Sequence, residues 1–200
     1  AVPYFERLQQ RQPDNWEVLL GLASCQRQLG QVEAARQLLD RVDSLHPALS
    51  DAEGPLVLTE RGKLALEEGK PDEAERWFRK AVVVAPEDYE CNDNLFRCLR
   101  QLGKEAEAKK YSDKVERLAK ERRRLAELTG QIAENPKNAQ LRCEAGIILL
   151  RQGHERDALG FLETALQQDP QYRPAHLALA GYYERVGRLD LARLHRRFLR

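Results

Sequence analysis

Thirty-two carboxylates, four histidines and four cysteines are the side chains of this 200-residue chain that could carry acid–base, nucleophilic or metal chemistry. Their spacing offers no such constellation. The histidines are His46, His154, His176 and His195, and none stands in an HExxH arrangement, which would put two ligands one helical turn apart. No serine sits in a GxSxG elbow, and no glycine-rich loop of the GxGxxG or P-loop kind is present. Cys25, Cys91, Cys98 and Cys143 form no CxxC pair and have no histidine at ligand spacing. Cys91 and Cys98 fall on one expected helix, where seven residues separate them by about 10 Å, too far for a disulfide. All four are read as reduced thiols packed in or near helix interfaces. Reduced thiols favour a cytoplasmic setting; nothing else assigns a compartment. The expectation is no catalytic residues, no metal and no cofactor.

Charge narrows the partners. With 33 basic and 32 acidic residues the net charge is +1, which gives no global attraction to nucleic acid or to an anionic membrane. The run Lys120-Glu121-Arg122-Arg123-Arg124 has two readings: an anion patch, or the wet face of a long helix with Leu118, Leu125 and Leu128 turned inward. The second is preferred, because no aromatics are interleaved to stack on bases. The longest apolar runs are far too short to span a bilayer. No nucleic-acid partner and no membrane insertion are expected.

The elements that must position any site are punctuated by glycine, alanine and proline. A glycine is followed five residues later by an alanine at Gly30/Ala35, Gly69/Ala74, Gly103/Ala108, Gly153/Ala158 and Gly187/Ala192. Gly69 to Gly103 and Gly153 to Gly187 are 34-residue intervals, a period that signals a repeat array. Pro47, Pro86 and Pro170 follow Gly30, Gly69 and Gly153 by seventeen residues. Each unit is then a helix, a glycine turn, a second helix and a proline stop. Acids open the second helices at Glu33, Asp72, Glu73, Glu105, Glu155, Asp157 and Asp190, where the helix dipole favours them. In the first unit Leu19, Leu22, Gln26 and Leu29 mark the inward stripe of the first helix, and Leu38, Leu39, Val42 and Leu45 that of the second. The alanines should face small residues on the first helices, namely Ala23, Gly62, Gly146 and Ala180, except Ala108, which should face Phe96 in a locally wider pair.

This register resembles the tetratricopeptide repeat (TPR) family, which prefers Trp, Leu, Gly and Tyr along the first helix, Ala, Phe and Ala along the second, then Pro. Residues Leu58, Gly62, Ala74, Phe78, Ala81 and Pro86 carry the match in one unit. Ala145, Gly146, Leu149, Ala158, Leu162, Ala165 and Pro170 carry it in another, and Leu179, Ala180, Tyr183 and Ala192 in the last. The resemblance implies an all-α fold, a solenoid of antiparallel helix pairs winding as a right-handed superhelix. Two arrays are expected. Residues 1–135 hold a half repeat (1–13), repeats 16–47 and 55–88, and repeat 89–120 with an extended second helix; residues 136–200 hold repeat 139–172 and the truncated 173–200. Ser50, Asp51 and Gly54 mark a surface loop at 48–54. Lys120 replaces the third proline, so a long helix is expected near 104–135, with a separate helix at 120–134 as the alternative. Both ends fall inside repeats, giving the expectation of a fragment of a longer array, whose open ends offer a route to self-association.

In that family the first helices line the concave face. The resemblance places Arg27, Lys63, Asn94, Arg97, Arg100 and Arg151 there as ligand-binding candidates. Arginine offers a carboxylate a bidentate fork; alternatively, the neighbouring Glu17, Glu60, Glu90 and Asp93 neutralise these cations. The chaperone-binding members' two-carboxylate clamp is absent, since Leu20, Ser24 and Glu90 occupy its places. Ile147, Leu150, Leu177 and Ala178 form a second, apolar set, for a ligand or for burial against the long helix. The implied function is a non-catalytic protein–protein interaction scaffold that binds a peptide segment or partner protein in the concave groove. The alternative is a regulatory segment of a larger multidomain enzyme.

Overall fold

The computed structural model describes residues 2–47 and 54–199, so all of the expected loop at 48–54 except Gly54 lies outside the described residues. Eleven α-helices follow in order among them: α1 Val2–Arg11, α2 Trp16–Gln28, α3 Val32–Leu45, α4 Pro55–Glu67, α5 Pro71–Val84, α6 Tyr89–Gln101, α7 Glu105–Glu134, α8 Ala139–Arg151, α9 Glu155–Gln168, α10 Arg173–Arg185 and α11 Leu189–Arg196. A 3-10 turn covers Arg197–Leu199. The long helix expected near 104–135 is α7, with 30 residues.

Local chemistry explains the boundaries. The five turn glycines have φ between 71° and 82°, the left-handed region that a side chain disfavours. The residue after each glycine donates its N–H to a carbonyl five residues earlier: Gln31 to Gln26, Lys70 to Ala65, Lys104 to Leu99, His154 to Leu149 and Arg188 to Tyr183. These bonds satisfy carbonyls that the helix ends leave open. Three first helices begin with a side-chain cap: Asn15 accepts from the Glu17 and Val18 N–H groups, Asp88 from Cys91, and Asn138 from Leu141.

The chain divides into two compact units, Ala1–Glu116 and Arg117–Arg200. This division lies inside α7, whereas the one expected from sequence lies at its end; a boundary at 135/136 stays a proposal. In the first unit α2, α4 and α6 lie side by side, while α3 packs on α2 and α5 on α4. One core joins Leu19, Ala23, Ala35, Leu39, Val42 and Val57; a second joins Ala74, Phe78, Leu95, Leu99 and Ala108. In the second unit Cys143, Leu162, Ala165, Ala175 and Leu179 form one core, and Leu128, Ala145 and Ile148 another. Leu118 and Leu128 are fully buried and Leu125 half-buried, so the basic run on α7 does flank an inward leucine face.

Two inward assignments are corrected. Leu29 is 62% exposed and Leu45 39% exposed. Leu29 is the residue that caps α2, and Leu45 is the last residue of α3; at those ends the helical stripe no longer faces the neighbouring layer. Close contacts do lie at the small residues, with the Phe78 ring rather than Ala74 nearest to Gly62. A Cβ on Gly62 would lie 2.4 Å from the Phe78 ring, and one on Gly146 2.7 Å from Leu162 Cγ.

A recurrent device escaped the sequence reading. Six residues after a proline, a polar side chain near the start of a first helix donates to that proline's carbonyl. Asn92 Nδ2 bonds Pro86 O at 2.8 Å, Arg142 Nη2 bonds Pro136 O at 2.7 Å, and His176 Nε2 bonds Pro170 O at 3.0 Å. The family prefers a bulky apolar residue at this place. Here a polar one ties the helix to the preceding turn, and the signal was the spacing of proline to polar residue.

Candidate functional site

The face formed by α2, α4 and α6 carries most of the candidate residues. Each helix places a side chain on it every three to four residues, and neighbouring repeats bring equivalent positions opposite one another. Arg27 on α2 donates through Nε to Glu60 Oε2 at 3.0 Å and through Nη1 to Glu67 Oε1 at 2.6 Å, both on α4. Lys63 Nζ bonds Glu60 Oε1 at 2.9 Å and Glu90 Oε1 at 3.2 Å, reaching from α4 to α6. Glu60 is thus the hub of a network crossing all three helices. Burial alone would raise its carboxyl pKa, but the Lys63 ammonium and the Arg27 guanidinium outweigh this and hold it below the usual carboxylate range. Lys63 is held above its ordinary value, burial being outweighed by Glu60 and Glu90.

The remaining candidates divide. Arg97 on α6 is 75% exposed at its side chain, and its one carboxylate partner among the described residues, Asp93, is 3.8 Å away. Arg100 is exposed, with its guanidinium 5.9 Å from the centre of the Phe96 ring and no carboxylate in ion-pair range among the described residues. Asn94 turns its amide back to the Glu90 carbonyl at 2.8 Å. Arg151 belongs to the second unit, where it donates to Glu121 on α7 at 3.0 Å. Of the six, then, Arg27, Lys63 and Arg151 are drawn into internal ion pairs, while Arg97 and Arg100 keep their charge available.

Beside the Glu60 network lies an open cavity of about 470 Å³. Trp16, Leu20, Gly21 and Leu56 form its apolar wall, and Thr59, Glu60, Lys63 and Glu90 its polar side. Leu56 is 57% exposed at its rim. Trp16 was not among the sequence candidates. It starts α2 directly after the Asn15 cap, and a tryptophan three residues after a proline was the available signal.

In the second unit Ile147, Leu150 and Ala178 pack into the core shared by α8, α9 and α10, and Leu177 is 60% exposed. A separate groove of about 600 Å³ is lined by Leu125 and Thr129 of α7, Ala145 and Leu149 of α8, and Gly160 and Phe161 of α9. Among the described residues no cluster of three or more His, Cys, Asp or Glu side chains could hold a metal ion, and no helix is long and apolar enough to cross a membrane. Cys91, Cys98 and Cys143 are buried thiols, and burial pushes them up to about 12, 11 and 11.

Known proteins share this architecture. Models described as "Tetratricopeptide repeat" match residues 1–53, 57–88 and 143–195, together more than half of the chain. A mouse protein, "Interferon-induced protein with tetratricopeptide repeats 3" [Mus musculus], is 25% identical over 167 residues, which is 82% of this chain. The chain spans 38% of that relative's length. Among solved structures, "Crystal structure of YrrB: a TPR protein with an unusual peptide-binding site" is 17% identical, with 98% of this chain and 90% of that one covered and a TM-score of 0.48. "Crystal structure of MamA" is 19% identical, with 88% and 91% covered and a TM-score of 0.37.

Proposed function

We propose, from the premise that this chain belongs to the tetratricopeptide repeat family, that its first unit receives a segment of a partner protein on the face of α2, α4 and α6. Members of the family are in general protein–protein interaction scaffolds, and no catalytic role is assigned to any residue here. The observation that carries the reading is the open cavity between Trp16, Leu20 and Leu56, with an exposed leucine at its rim beside an ion-pair network. An apolar side chain of a partner would remove that leucine from water. Apolar burial contributes about 25 cal/mol per Å², and a few such anchors dominate affinity.

A photo-cross-linking side chain at Leu56, compared with one at Val83, tests this. Val83 is 80% exposed on α5, which is not one of the helices of the proposed face. Partner adducts are expected from position 56 and not from position 83. Equal yields at both would remove the site. A second reading, self-association, is favoured by the exposure of Leu189, Leu194 and Phe198 around α11; sedimentation of the chain against that of Leu194→Glu tests it.

A further inference from the structure

The charges on the receiving face are not equivalent, and the difference points to the chemistry of the occupant. Arg27 and Lys63 are consumed by Glu60, Glu67 and Glu90. Their guanidinium and ammonium groups already hold short hydrogen bonds, so a ligand carboxylate gains little from them. Arg97 and Arg100 are the opposite case. Among the described residues one has a single long contact to Asp93, the other only the face of Phe96, and both are exposed. Both lie on α6, beyond Glu90, where the apolar cavity ends.

The separation is fixed by helix geometry. Glu90 to Arg97 is seven residues, about 10 Å along the axis at 1.5 Å per residue, and it returns to nearly the same side of the helix. An extended chain advances about 3.3 Å per residue. From the Glu90 edge of the cavity, an extended occupant therefore needs at least three residues to reach Arg97. Among the cavity-lining residues Glu17, on α2, is exposed and has no cationic partner among the described residues. An acid is disfavoured on that side and favoured on the Arg97 side.

Resting on the proposed function, we propose that the first unit recognises an extended peptide with a bulky apolar residue seated between Leu20 and Leu56, followed or preceded at a distance of three to five residues by an Asp or Glu that pairs with Arg97 and Arg100. The apolar residue anchors the segment, and the acid sets its register. Arginine suits the second task because its planar fork meets a carboxylate with two parallel hydrogen bonds.

The test is selection of a phage-displayed random 12-residue peptide library on the full 200-residue chain. The expected consensus pairs Leu, Ile, Phe or Trp with Asp or Glu three to five positions away. Synthetic peptides of that consensus should bind Arg97→Glu/Arg100→Glu about tenfold more weakly, the effect of reversing two exposed ion pairs. Selection on that variant should exchange the acid for Lys or Arg. Circular dichroism should be unchanged, since both side chains are exposed. Peptides that are lost on Leu56→Asp but show no acid, and no response to the arginine reversal, overturn this inference and leave the groove reading intact. Failure to enrich any peptide, or enrichment indifferent to Leu56→Asp, overturns both.

Discussion

Gly146 and Gly160 lie on neighbouring helices of the second unit, and the same substitution should move stability in opposite directions at the two. A Cβ on Gly146 would stand 2.7 Å from Leu162 Cγ, 3.0 Å from the Ala158 carbonyl oxygen and 3.1 Å from Leu162 Cδ2. Optimal carbon contacts are about 3.5–4.0 Å, so close to 1 Å must be found. Leu162 and Ala158 are both fully buried, and one of the contacts is backbone. Relief therefore requires α9 itself to move away from α8. Overpacking of this kind costs about 1–3 kcal/mol. Alanine regains about 0.8–1.0 kcal/mol of helix propensity, leaving Gly146→Ala destabilised by up to about 2 kcal/mol. At Gly160 an added Cβ meets nothing within 4 Å. The propensity gain stands alone there, and Gly160→Ala should stabilise by about 0.8–1.0 kcal/mol. Because propensity cancels in the difference, the gap of about 1–3 kcal/mol measures the helix contact itself. Urea denaturation followed by circular dichroism at 222 nm, with both variants read on the same transition, gives the comparison. A midpoint for Gly146→Ala equal to or above that for Gly160→Ala would refute the close α8–α9 packing.

Three further outcomes are expected. His176 Nε2 donates to the Pro170 carbonyl, and a single proton is shared in the 2.9 Å contact between His176 Nδ1 and His195 Nδ1. Burial first, and the neighbouring His176 second, lower the His195 pKa. Protons then bind the unfolded chain more readily, so stability present above about pH 6.5 should fall as pH drops below it. His195→Gln should flatten this slope between pH 7.5 and 5.5, and an unchanged slope would contradict the pairing. Glu75, which burial would raise but Lys104 and Arg79 hold below the ordinary range, contributes stability above about pH 4.5 that is lost on further acidification. Glu75→Gln should cost about 1 kcal/mol at pH 7 and reduce the acid sensitivity of the first unit, readable through Trp77 fluorescence. At pH 8 a thiol reagent should modify half-buried Cys25 first, while Cys91, Cys98 and Cys143 wait for denaturant; four equally fast thiols would contradict their burial.

Much of the fold could be read from the chain because its punctuation is obligatory. Only glycine is at ease at φ near 75°, so Gly30, Gly69, Gly103, Gly153 and Gly187 disclose every first-to-second helix turn. Ala35, Ala74, Ala108, Ala158 and Ala192 are all nearly or fully buried, as close helix contact demands. Periodicity failed where the helix itself stops, at Leu29 and Leu45. The site was less legible, because whether a cation is available depends on its neighbour one repeat away. Arg27 and Glu60 are 33 residues apart, and only the repeat register sets them opposite one another. Arg97 has no such partner among the described residues, where its ion-pair contact is Asp93, one turn back on its own helix at 3.8 Å. The histidine pair was hidden for a similar reason: His176 and His195 occupy two helices of one repeat, and neither position has a histidine in the family pattern.

The central claim is that the first unit receives a partner segment on the face of α2, α4 and α6. A backbone amide NMR titration of the chain with a peptide selected by its binding tests this most directly. The largest shifts are expected at Leu20, Ser24, Leu56, Thr59 and Arg97. Shifts confined to α3 and α5, or to the groove around Gly160 and Phe161, would contradict it.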